Sequence, residues 1–196
     1  VRLRTSFTAL TMAAAATSAI VGCGLQVASP NDAYPGSRSV EAKTARDSSF
    51  TQGDIGATPT GTPLYTRLAR SSTVGDTGQA LTATLAGTTY RSATGVWIGC
   101  EGTPSTAVYR LAGEFAKLTG VLGLQPHTPR DLRVRVSFIV DGSTKLASVL
   151  AREDAPRTIS IALDGARSVT VSALATDGTC APAPAPYGAI GAASLT

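Results

Sequence analysis

Histidine, tryptophan and charge are all scarce in this sequence. One histidine, His127 in the stretch QPHTPRD, and three cysteines in 196 residues leave no zinc-ligand spacing. No G-x-S-x-G occurs, so His127 has no serine elbow to serve in a Ser-His-Asp triad. Charged residues are 15% of the chain, and the net charge is +4. Setting aside Arg2 and Arg4 leaves 15 basic against 13 acidic residues, or +2. With no basic run interleaved with aromatics, nucleic acid is not an expected partner. Asp131, Asp141, Glu153, Asp154, Asp164 and Asp177 lie mostly at turns, where aspartate bonds its own backbone. Glycoside cleavage instead needs two carboxylates facing each other across a sugar. No loop has a calcium-binding spacing. Neither enzyme activity nor a cofactor is expected.

The first 22 residues, VRLRTSFTALTMAAAATSAIVG, begin with two arginines and continue without charge to Gly22. A positive start, a weakly apolar middle and a small residue at the end describe a signal peptide. The middle is short and rich in threonine, whereas a membrane-spanning helix needs about 20 strongly apolar residues. Ile20-Val21-Gly22-Cys23 resembles the lipobox of bacterial lipoproteins. That resemblance implies a diacylglycerol thioether on Cys23, cleavage after Gly22 and an anchor in the cell membrane on its extracytoplasmic face. Each buried methylene of such an anchor contributes about 0.8 kcal/mol. The other reading is an ordinary secretory signal that happens to precede a cysteine.

Three cysteines in an exported chain leave one unpaired. With Cys23 lipidated, Cys100 and Cys180 remain and are expected to form a disulfide, as export permits. Two buried free thiols are the alternative.

Residues 23–75 hold many Ser, Thr, Gly and Pro and no sustained apolar period. Such a segment buries too little apolar surface to offset its ordering cost, so it is expected to be a flexible tether. Within it, Leu64, Tyr65, Leu68 and Ala69 in PLYTRLAR have helical spacing. They fit a short helix, a local turn or a segment docked on the following domain.

Residues 76–196 form the expected domain. Apolar and polar side chains alternate in LTATLA (81–86), STAVYRLA (105–112) and FAKLTGVLGL (115–124). RVRVSFIV (133–140) places Val134, Val136, Phe138 and Val140 on one face. Asp141-Gly142 offers a tight turn into KLASVL (145–150). RTISIAL (157–163) and RSVTVSALA (167–175) flank Asp164-Gly165, and a last strand is expected over 187–195. Seven to nine short strands with no long helical pattern predict an all-β fold, an antiparallel β-sandwich.

The order of these segments resembles the NPCBM family, carbohydrate-binding modules often attached to glycosidases. The likeness is carried by GTTYRSATG (87–95), VYRLAGEFAKLTGVLGL (108–124), RVRVSFIVDGSTKL (133–146) and ISIALDGARSVTVSAL (159–174). It implies a galactose-binding-like jelly roll and sugar binding. Family members carry acidic and aromatic residues in the loop before the last strand. Here that loop, ATDGTCAPAPAPYG (175–188), keeps only Asp177 and Tyr187 of that set.

Sugar sites combine an aromatic face with planar hydrogen-bonding groups. Trp97 stands three residues before Cys100, where it either packs beside the bridge or serves as a platform. Arg91, Arg110 and Glu101 are the charged groups that would line such a pocket, or else belong to a solvated face, while Tyr90 and Tyr109 read as packing residues on strands. Two functions follow: a membrane-anchored glycan-binding module, or a protein-interaction or structural envelope module that kept the fold without the sugar site.

Overall fold

The computed structural model describes residues 54–72 and 77–196. The expected signal peptide, Cys23 and the tether as far as residue 53 lie outside the described residues.

Within the described residues, eleven strands form two antiparallel sheets, the expected sandwich. The first sheet runs β3 (Ala80–Leu85), β4 (Thr88–Val96), β11 (Gly188–Leu195), β6 (Lys117–Leu124), β9 (Arg157–Ala162), with β1 (Thr62–Pro63) also paired to β11. The second runs β2 (Leu68–Ser71), β5 (Ser105–Arg110), β10 (Ser168–Asp177), β7 (Arg133–Val140), β8 (Ser143–Leu150).

Period-two patterning sets the inner faces. Val134, Val136, Phe138 and Val140 of β7 are all buried, while Arg133 and Arg135, which alternate with them, are exposed. Ile159 and Ile161 of β9, and Val169, Val171 and Ala173 of β10, face the same core. Tyr90 and Tyr109 are buried packing residues. Asp141 and Gly142 both have positive φ, 44° and 84°, the geometry of the tight hairpin expected there. The Asp141 carboxylate then accepts the N–H groups of Arg167 (3.0 Å) and Ser168 (2.8 Å), which ties this turn to the start of β10.

The β3–β4 hairpin folds back across the outer face of its own sheet. Leu85 and Tyr90 join Ala83, Ala93 and Ala189 in a cluster separate from the main core. Glycines on the sheet beneath make room. A Cβ at Gly123 would meet Leu85 Cδ2 at 3.3 Å, and one at Gly191 would meet Tyr90 Cγ at 2.6 Å.

The expected boundary at residue 76 is corrected by residues 54–72. Leu64 is completely buried in the main core, in a 3-10 turn over Leu64–Arg67, with β1 before it and β2 after it. The Arg67 guanidinium pairs with Glu114 at 2.7 Å and lies over the Phe115 ring. This segment reads as a linker because its own apolar content is one or two residues per turn. Its burial comes from β5 and β11, against which it pairs.

Candidate functional site

Four loops meet at one end of the sandwich: 97–104, 125–132, 151–156 and 178–187, each joining one sheet to the other. The first runs parallel to the end of β10, past the point where the pairing of β5 with β10 stops. Gly99 N–H donates to the Ala173 carbonyl (3.0 Å), and Ala175 N–H donates to the Gly99 carbonyl (2.8 Å). Cys100 and Cys180 form the expected disulfide, with a Cα separation of 5.7 Å, joining this loop to the last one.

The loop 178–187 is stitched along its length. The Asp131 carboxylate accepts both the N–H and the hydroxyl of Thr179, each at 2.8 Å. These bonds hold its carboxyl below the ordinary aspartate range. The Gln125 amide donates to the Pro186 carbonyl (2.6 Å), and the Thr128 hydroxyl to that of Tyr187 (3.2 Å). Pro182, Pro184 and Pro186 restrict φ before folding, which lowers the cost of ordering the loop.

Trp97 is half-buried, three residues before Cys100. Its backbone N–H donates to the Thr77 hydroxyl (3.2 Å), whereas its indole Nε1 is buried without a partner. Glu101 is exposed at a turn tip, with φ of 57°. Asp177 is exposed, opposite Arg133 in the β7–β10 register, and its carboxylate accepts the Gly178 N–H (2.8 Å). Trp97, Glu101 and Asp177 therefore share this end with the disulfide.

Two expected members do not join them as binding groups. Tyr187 is buried; its hydroxyl donates to the Ala181 carbonyl (3.0 Å), and its ring packs 5.4 Å from that of His127. It fastens the loop and has no free face for a sugar, because the segment needs an interior anchor where its other side chains are Ala and Pro. Arg110 lies at the far end of β5, opposite Ser168, on the outer surface of the second sheet. It lies five residue steps along the strand from Ser105, about 17 Å at the usual rise.

A neighbouring hollow of about 270 Å³ is lined by Ala86, Leu124, Pro126, Arg152 and Glu153. Arg152 donates to the Pro126 (3.3 Å) and Thr128 (3.4 Å) carbonyls and pairs with Glu153, whose carboxyl it holds below the ordinary glutamate range. A fixed guanidinium, an ionised carboxylate and an apolar floor can together bind hydroxyls and cover the face of a ring. Sequence reasoning set Glu153 aside as a turn carboxylate and gave Arg152 no role; the adjacent opposite charges of ARED (151–154) were the available signal for the pair. Every resolved carboxylate shift is downward, at Asp131, Asp141 and Glu153, so these groups are acceptors stabilised as anions. Among the described residues no group of three His, Cys, Asp or Glu side chains could hold a metal ion.

The sequence matches the NPCBM/NEW2 domain over residues 43–181, a match that starts well before the expected boundary at 76. No curated protein matches it. Among solved structures, the chain is similar to CBM51 from Clostridium perfringens GH95 in complex with methyl-galactose. The two are 16% identical, with 69% of this chain and 99% of that one covered and a TM-score of 0.50. It is also similar to the M60 catalytic domain with the CBM51-1 and CBM51-2 domains of Clostridium perfringens ZmpB (17% identity, 65% of this chain, TM-score 0.49). The match spans 14% of that ZmpB chain. At such identities the likeness is one of fold, the galactose-binding-like sandwich expected from the segment order.

Proposed function

Because this chain belongs to the NPCBM/NEW2 domain family, we propose that it is a non-catalytic carbohydrate-binding protein, lipid-anchored through Cys23 on the extracytoplasmic face of a membrane. Family membership over residues 43–181 carries the binding half of this reading. The anchor half is supported by the leader, by the lipobox-like Ile20–Cys23 and by cysteine parity. Cys100 and Cys180 are paired with each other, which leaves Cys23 as the one remaining thiol and fits an oxidising compartment.

The sugar is assigned to the disulfide-closed loop end. Glu101 and Asp177 supply acceptors for hydroxyls, and the hollow beside Arg152 and Glu153 supplies a concave wall. The CBM51 domain of Clostridium perfringens GH95 was solved with methyl-galactose, so galactose-terminated glycans are the first to test. On a glycan array the full chain should bind a galactose-terminated set. Glu101→Gln or Arg152→Ala should weaken that binding, and ligand should shift Trp97 fluorescence. An array with no ligand would overturn the reading in favour of a protein-interaction module.

A further inference from the structure

A second concave surface lies away from the loop end. It runs along β2, β5 and the start of β10 on the outer face of the second sheet. Three adjoining hollows, of about 310, 300 and 350 Å³, share Ala69 and Arg110 at one junction and Arg70 and Val108 at the next, so they form one groove. Strand register explains its lining. Tyr109 and Ala107 point into the core, so Val108 and Arg110 point outward. Val108 faces Arg70 on one side and Thr170 on the other, and Arg110 faces Ser168. Thr106 carries the same surface two residues beyond Val108, so the stretch from Arg110 to Thr106 spans about 14 Å.

Arg70, Arg110 and Arg167 are all exposed along this groove, and among the described residues none has a carboxylate within 4.0 Å, although the charge of Arg167 acts on Asp141 from farther away. The carboxylates at its border are already engaged. Glu114 pairs with Arg67 (2.7 Å), and Asp141 accepts the N–H groups of Arg167 and Ser168 and the hydroxyl of Ser168. Charge on an edge strand such as β2 also deters strand pairing. That role requires nothing of Arg110 or Arg167, which lie beside interior strands. Three guanidinium forks lining one groove, flanked by hydroxyls, match oxyanions repeated along a hydroxylated chain.

We propose that this groove is a second binding site, one that takes an acidic polysaccharide through its repeated carboxylate or sulfate groups. A membrane surface fits less well. The large exposed apolar side chains among the described residues are Ile55 and Val149, and neither lines the groove, where arginine, serine and threonine surround the outward-facing Val108 and Ala69.

Affinity electrophoresis of the full chain tests the proposal, with polygalacturonate, dextran sulfate or uncharged dextran in the gel. Polygalacturonate should retard the chain, uncharged dextran should not, and added NaCl should abolish the effect as exposed charges are screened. A response confined to dextran sulfate would assign the anion as a sulfate ester. The Arg70→Gln/Arg110→Gln/Arg167→Gln variant should lose about tenfold or more in affinity, the scale of lost charge-assisted hydrogen bonds. Its unchanged thermal unfolding would show an intact fold. Three results would overturn the proposal: no retardation by either anionic polymer, undiminished binding by the triple variant, or binding to phosphatidylglycerol vesicles alone.

Discussion

The ring of Tyr90 occupies the space that a side chain at Gly191 would need, since a Cβ there would stand 2.6 Å from Tyr90 Cγ. Strand β11 thus gives up a side chain so that the β3–β4 hairpin can lie on the sheet. Gly191→Ala should destabilise the fold by about 1–3 kcal/mol, the usual cost of overpacking. In a Tyr90→Ala background the same substitution should cost much less, because the two sites are coupled. Urea unfolding of the four proteins checks this, and equal costs in both backgrounds would contradict the contact.

Leu64 tests whether the segment before residue 76 is structural. It is completely buried within the main cluster. Leu64→Ala should cost about 2–5 kcal/mol, as for other large-to-small core substitutions. A neutral result would return the segment to the status of a tether.

The Cys100–Cys180 bridge closes a separation of 80 residues. On the chain-entropy account its loss removes about 4.5 kcal/mol, and measured losses are often smaller. The Cys100→Ser/Cys180→Ser variant should melt lower than the parent. Non-reducing digestion should yield one cross-linked peptide from the parent and none from the variant.

Asp131 sets part of the acid sensitivity. Its folded-state pKa is lowered by the hydroxyl and the N–H of Thr179. A carboxyl lowered in this way contributes stability in full above its unfolded value near 3.8, and that contribution drains away as pH falls through the lower folded value. Asp131→Ala should lower Tm at neutral pH and flatten the acid limb of the Tm–pH curve. Asp141 and Glu153 are shifted in the same direction, so some acid loss should persist in the variant.

Cys23→Ala addresses the anchor directly. If Cys23 carries lipid, the variant should partition away from membranes and lose labelling by an alkyne fatty acid. Retention of the variant in the membrane fraction would count against lipidation.

Strand β7 was legible in full because its alternation of Arg, Val and Phe reports a half-buried face without reference to any neighbour. The Asp141-Gly142 turn was legible for the same reason: its chemistry is local, requiring two residues that tolerate positive φ. In β2 the signal was weak, since one partly buried leucine followed by Ala, Arg and Ser has no period to detect. Tyr187 read as a free aromatic because nothing nearby in sequence shows that the Ala181 carbonyl and His127 enclose it.

Local order was written into the chain: where it alternates and where it turns. The partnerships came from long-range packing. Leu64 is interior because β5 and β11 surround it, Gly191 is needed because Tyr90 arrives from a folded-over hairpin, and Arg70, Arg110 and Arg167 share a groove because β2, β5 and β10 lie side by side. A side chain's own neighbours in sequence determine its direction from the backbone. What it meets there depends on residues tens of positions away, brought close only when the two sheets close over a common core.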